Sequence, residues 1–140
     1  MPIKKQEFYE GAALHLLART NEITNLRYDA PFFVLNGRLL IHLKYSTKGR
    51  SPWPFTFTPE EQALLGKHGS VCPLVMGLIC GADGVAALDY EHFTEIALTR
   101  ASAVRITCSR RHGERYELKG PDGTLSRKVA PSSWQRILER

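Results

Sequence analysis

Long apolar runs, low-complexity tracts and cysteines are all scarce in this sequence, and each shortage closes off a class of protein. The longest apolar stretch, Pro73 to Cys80, falls far short of the roughly 20 residues that span a bilayer. The N-terminal MPIKKQEFYE carries no apolar region of the signal-peptide kind. The expectation is a cytoplasmic protein with no membrane partner. Three cysteines, Cys72, Cys80 and Cys108, are an odd number at no ligand-like spacing, which argues against a disulfide framework and against zinc. They read as small buried apolar side chains. His68, His92 and His112 could join them around a metal, but nothing in the spacing asks for it. With 43% hydrophobic and 24% charged residues over 140 positions, the composition is that of one ordinary globular domain.

Acidic residues run short at one end only. Residues 1–99 hold nine Lys/Arg against ten Asp/Glu, whereas residues 100–140 hold ten against four. The whole net charge of +5 is therefore C-terminal in origin. A basic segment of this kind suits polyanions, through phosphate contacts and counterion release. The same charge also serves as a solvated surface or as a face for an acidic protein.

What is present centres on residues 29–48, DAPFFVLNGRLLIHLKYSTK. Asn36-Gly37 between two apolar runs predicts a type I′ hairpin turn, since both central residues need positive φ. Pairing Leu35 with Arg38 across that turn sets Phe33 against Leu40, Pro31 against His42 and Asp29 against Lys44. Alternation then places Arg38, Leu40, His42, Lys44 and Ser46 on one face and the core residues Leu39, Ile41, Leu43 and Tyr45 on the other. The first row sets a carboxylate opposite an ammonium, with an imidazole one pleat away. Such a row serves a metal and phosphate site, or an ordinary cross-strand ion pair.

Around the hairpin the chain reads as scaffold. Phe8, Ala12, Leu16 and Leu17 predict a helix over about 6–19, with Glu7 and Glu10 in its early turns, where negative charge suits the helix dipole. Residues 23–28 predict a short strand or an extended lead into the hairpin. After a break at Lys48 to Pro52 that carries Lys48 and Arg50, Trp53 to Phe57 reads as a short extended piece. Thr58-Pro59-Glu60-Glu61 predicts a helix start with an N-cap threonine, proline at the first position and a glutamate placed for a capping box. LVMGLICG reads as a central strand covered on both sides. Ala82-Asp83-Gly84 predicts a turn, VAAL a short strand, and Asp89 the N-cap of a helix through Phe93, Ile96 and Leu98. From Ala103 the alternation returns in a three-stranded meander whose exposed side carries Arg110, Arg111 and Arg115. Ser132 with Gln135 predicts a capped terminal helix held down by Trp134, Ile137 and Leu138. The expected fold is an α/β or α+β single domain, 1–140, with a core over about 6–99 and a basic meander plus terminal helix over about 100–140.

Glu10 followed by GAALHLLA, then FFVLNGRLLIHLKYSTK, resembles the core of the PD-(D/E)XK nuclease-like superfamily, the restriction-endonuclease and Holliday-resolvase fold. The likeness covers about the first 80 residues. It implies a mixed sheet flanked by helices, in which a helix supplies a glutamate, a hairpin an aspartate, and the next strand a Glu-x-Lys or Asp-x-Lys aimed at a metal and the scissile phosphate. Glu10 matches the helix glutamate and Lys44 the lysine. His42 stands where the second acid belongs, the aspartate position falls at Phe33, and Asp29 is its substitute. The resemblance thus implies catalytic roles for Lys44, Asp29, His42 and Glu10, and a divalent ion, Mn²⁺ or Mg²⁺, on Asp29, Glu10 and His42. Because imidazole suits transition ions, His42 favours Mn²⁺ over Mg²⁺. Lys48, Arg50, Arg110, Arg111 and Arg115 are the expected contacts to nucleic acid, DNA ahead of RNA. Two functions stay open: a metal-dependent endonuclease, and a non-catalytic nuclease-fold module that binds nucleic acid or a protein partner, a homodimer included.

Overall fold

A computed structural model describes residues 2–139. The chain runs α1 (Lys5–Thr20), β1 (Leu26–Asp29), β2 (Phe32–Leu35), β3 (Leu39–Ser46), β4 (Trp53–Phe57), α2 (Pro59–Gly69), β5 (Leu74–Cys80), β6 (Gly84–Asp89), α3 (Tyr90–Ile96), β7 (Val104–Ser109), β8 (Glu117–Gly120), β9 (Gly123–Thr124) and a terminal 3₁₀ segment, Pro131–Glu139. The fold is mixed α/β with two sheets. A five-stranded sheet has the order β1-β2-β3-β5-β6, and a four-stranded one the order β4-β7-β8-β9. In the first, β3 and β5 run parallel, while all other neighbours are antiparallel.

Every residue of β5 is buried, because apolar layers cover both faces of the larger sheet. On one face Ala13 and Leu17 of α1, with Trp134 and Ile137 of the terminal segment, pack on Leu39, Ile41, Leu43, Val75 and Ile79. On the other, α2, α3 and the smaller sheet bring Leu65, Phe93, Trp53, Phe57 and Ile106 against Met76, Leu78 and Leu88. The Trp134 indole N–H donates to the Ala13 carbonyl at 3.0 Å, and its ring lies so close to β5 that a Cβ at Gly77 would stand 2.9 Å from it. Glycine there makes room for the tryptophan. Among the described residues no helix is long and apolar enough to cross a membrane.

The hairpin turn forms where expected but in a different register. Asn36 and Gly37 take φ of 53° and 68°, and the Arg38 N–H donates to the Leu35 carbonyl at 3.1 Å. Pairing nevertheless starts with Leu35 against Leu39, leaving Arg38 as an extra residue, so Phe32 rather than Pro31 faces His42. The strand before the turn is also shorter than expected. It begins at Phe32, and a second hairpin through Ala30-Pro31 folds β1 back with Asp29 opposite Phe32. Proline has no N–H for a ladder, and the chain turns there. Asp29 therefore lies on the strand beyond β2, not across from Lys44.

The Asn36 side chain ties the two hairpins together. Its Oδ1 accepts from the Thr24 and Asn25 backbone N–H groups at 2.8 and 3.2 Å, and it alone among non-glycine residues described has positive φ. Asn36→Ala loses those acceptors and a residue tolerant of the left-handed region. We expect a loss of about 1–2 kcal/mol, read as a lowered urea midpoint with unchanged slope.

Two other expectations need correction. The third helix ends at Ile96, and Leu98 is exposed, its N–H taken by Asp122 Oδ2 at 2.6 Å. The terminal segment is 3₁₀ and opens at Pro131, so Ser132 lies inside it and not at a cap. The Trp53 to Phe57 piece is extended, as expected, and pairs antiparallel with β7 at the edge of the meander.

Candidate functional site

β3 carries His42 and Lys44 to the face on which α2 lies, and α2 opens there with its capping box. Thr58 Oγ1 accepts from the Glu61 N–H at 3.1 Å, and Glu61 Oε1 accepts from the Thr58 N–H at 3.1 Å. The same carboxylate reaches the strand. Lys44 Nζ donates to Glu61 Oε2 and Oε1 at 2.8 and 3.1 Å, and the His42 Nε2–H donates to Oε2 at 3.2 Å. Below them the Lys44 ammonium stands 4.9 Å from the centre of the Phe57 ring, and the Phe32 ring meets His42 edge-on at 5.7 Å. His42 is buried, and Lys44 and Glu61 keep only 22% and 24% side-chain exposure. Burial pushes the Glu61 carboxyl upward, but hydrogen bonds from His42, Lys44 and Thr58, and the Lys44 charge, outweigh it and hold the pKa at about 2.

The other expected members are elsewhere. Asp29 is exposed at the end of β1 and its carboxylate has no partner among the described residues. Glu10 sits on α1, which packs on the opposite face of the sheet, and it accepts from Gln6 Nε2 at 2.8 Å. Phe33 faces the α1 layer too. The acid that does meet His42 and Lys44 is Glu61, read from the sequence only as a capping residue. A metal on Asp29, Glu10 and His42 does not fit this arrangement, since the three do not meet. Nor does Glu61 offer a free oxygen, because three groups already give it four hydrogen bonds. Among the described residues no group of three or more His, Cys, Asp or Glu is placed to share an ion.

A second constellation lies at the end of the meander. A groove of about 370 Å³ is lined by Ser51, Ser109, Arg110, Arg111, Arg115 and Lys128, together with Glu114 and Glu117. The Arg110 side chain is held fast. Its Nη1 donates to Asp83 Oδ2 at 2.9 Å, its Nε to the Glu114 carbonyl at 2.7 Å, and its guanidinium lies 5.3 Å from the Tyr116 ring centre. Tyr116 donates to the same Asp83 oxygen at 2.7 Å, and burial together with that carboxylate raises its pKa. Arg111 and Arg115 are exposed and make no ion pair among the described residues. The Arg110 backbone N–H donates to Ser51 Oγ at 3.0 Å, which fastens the β3–β4 loop, with Lys48 and Arg50 exposed on it, to the β7–β8 loop.

Comparison of the chain with protein-family models, with curated proteins and with solved structures finds no match.

Proposed function

We propose that this chain is a nuclease-fold module that binds nucleic acid through its phosphates and does not cut it. The observation that carries the reading is the Ser51–Arg110 hydrogen bond. It joins two basic loops, far apart in sequence, into one positively charged rim around a groove. Rigid Arg110 and exposed Arg111, Arg115, Lys48 and Arg50 supply the kind of cationic surface on which phosphate contacts position a nucleic acid. The rim lies where β3 and β5, the parallel pair, end, which is where open α/β sheets present their ligands. Support for the nuclease-like fold comes from the mixed sheet with helices on both faces and a lysine on the strand after the hairpin turn. Hydrolysis lacks support of the same kind. The cluster of Lys44, His42 and Glu61 satisfies itself, and Asp29 and Glu10 stand away from it.

Fluorescence anisotropy with labelled duplex DNA, single-stranded DNA and RNA of one length, over a salt series, tests the binding. Affinity is expected to fall linearly with log salt, with a slope corresponding to several phosphates. No binding to any of the three at low salt would remove the proposal. Plasmid nicking over Mg²⁺, Mn²⁺ and Co²⁺ tests the rest, and no cleavage is expected. Cleavage by the wild type that Lys44→Ala abolishes would return the protein to the hydrolases.

A further inference from the structure

We propose that β1 is a self-pairing edge through which two copies of this chain join their larger sheets into one continuous sheet. The inference stands on the sheet edge alone and is independent of the nucleic-acid reading.

The two edges of the larger sheet differ. β6 is buried along its middle four residues and the terminal segment packs on it. All four residues of β1 are exposed, and the outward backbone groups of such a strand are a template for another strand. Which groups point outward follows from one bond. The Asn25 carbonyl accepts from the Asn36 N–H at 2.8 Å, so Asn25 faces β2, and alternation turns Arg27 and Asp29 the same way. Leu26 and Tyr28 then present their N–H and C=O groups to the open side.

A second copy related by a two-fold axis fits this edge in one register favoured by charge. If Tyr28 exchanges both backbone bonds with Tyr28 of the other copy, Arg27 falls opposite Asp29 of the other copy, and Asp29 opposite its Arg27. Those are the non-hydrogen-bonded positions, where facing side chains come closest. Neither Arg27 nor Asp29 has a side-chain partner within its own chain among the described residues. One isologous contact would therefore satisfy four unpaired charges. On the α1 face it would bring together the two Tyr28 rings. Tyr28 is 59% exposed, rests on Phe33 at a centroid distance of 4.9 Å, and borders a groove with Ile3 and Leu14.

The test is the oligomeric state, measured by sedimentation equilibrium over a concentration series in the presence of reductant, which keeps the exposed Cys72 from cross-linking copies. The wild type is expected to show a reversible monomer–dimer equilibrium. Arg27→Glu places two acids opposite two acids, and Asp29→Lys two bases opposite two bases. Each single variant is expected to raise the dimer dissociation constant by about tenfold or more. The double variant Arg27→Glu/Asp29→Lys restores opposite charges and is expected to recover dimerisation. Because both side chains are exposed, circular dichroism should stay unchanged in all three, as should the melting temperature at concentrations low enough for the wild type to be monomeric. A wild type that stays monomeric at every concentration overturns the proposal. So does a dimer indifferent to the single swaps, or one the double variant fails to restore.

Discussion

Glu61→Ala is expected to lower the unfolding free energy by about 3 kcal/mol and the melting temperature by roughly 10 °C. Two losses combine in it. The helix loses the half of its capping box that satisfies the Thr58 N–H, an interaction worth about 1 kcal/mol. The larger loss lies on β3, where Lys44 and His42, half-buried and buried, would keep their donors and lose the acceptor. Glu61→Gln separates the two, since an amide oxygen still accepts from Thr58 while the charge is gone, and about half of the loss should remain. The pH dependence has a definite sign. The folded carboxyl titrates at about 2 against an ordinary value of 4.5, so its stabilisation is complete above 4.5 and drains away as pH falls toward 2. Urea unfolding of wild type and Glu61→Gln at about pH 7 and about pH 3 checks this, with the gap between them narrowing in acid. A gap that widens in acid, or a variant as stable as wild type, would mean that the cluster does not hold α2 to β3.

Signals confined to neighbouring residues were readable, and contacts between distant ones were not. The apolar run Leu74–Cys80 admits hardly any element but a doubly covered strand, and it is one. Asn36-Gly37 announces its turn for the same local reason. The position of Arg38 is decided elsewhere, because Asn36 also serves Thr24 and Asn25, and a residue bound to the segment leading into β1 is no longer free to set a two-residue loop. That one-residue shift, with the turn at Ala30-Pro31, carried Asp29 away from Lys44. Glu61 shows the limit most clearly. Thr58-Pro59-Glu60-Glu61 reveals a cap, but that the cap sits beside Lys44, 17 positions earlier, depends on how α2 crosses the sheet. One pattern could have found it: a crossover helix between parallel strands must cover one face, and His42, Lys44 and Ser46 share that face. Likewise Trp53, Phe55 and Phe57 alternate visibly, yet their partner β7 lies some 50 residues on, and no local rule names it.

Neutralising Arg110, Arg111 and Arg115 together, each to alanine, is expected to weaken nucleic-acid binding between about 10- and 100-fold at roughly 0.1 M salt, and to flatten the log–log salt slope by about 2. Three full phosphate contacts would flatten it by nearly 3. The smaller figure follows from the structure, because the Arg110 charge already faces Asp83 at 2.9 Å and is largely neutralised before any ligand arrives, whereas Arg111 and Arg115 make no ion pair among the described residues. The double variant Arg111→Ala/Arg115→Ala should therefore reproduce most of the triple effect with little change in stability, both side chains being exposed. Arg110→Ala alone should behave in the opposite way. It leaves Asp83 to Tyr116 alone, frees the Glu114 carbonyl and uncovers the Tyr116 ring, so a lower melting temperature should accompany only a small change in slope. Anisotropy titrations and thermal melts on the four proteins measure both quantities. Arg136→Ala is the control, its guanidinium being paired with Glu139 in the terminal segment, outside the groove. If the triple variant binds with the wild-type slope, phosphates do not meet the β7–β8 loop, and the basic surface there serves another partner.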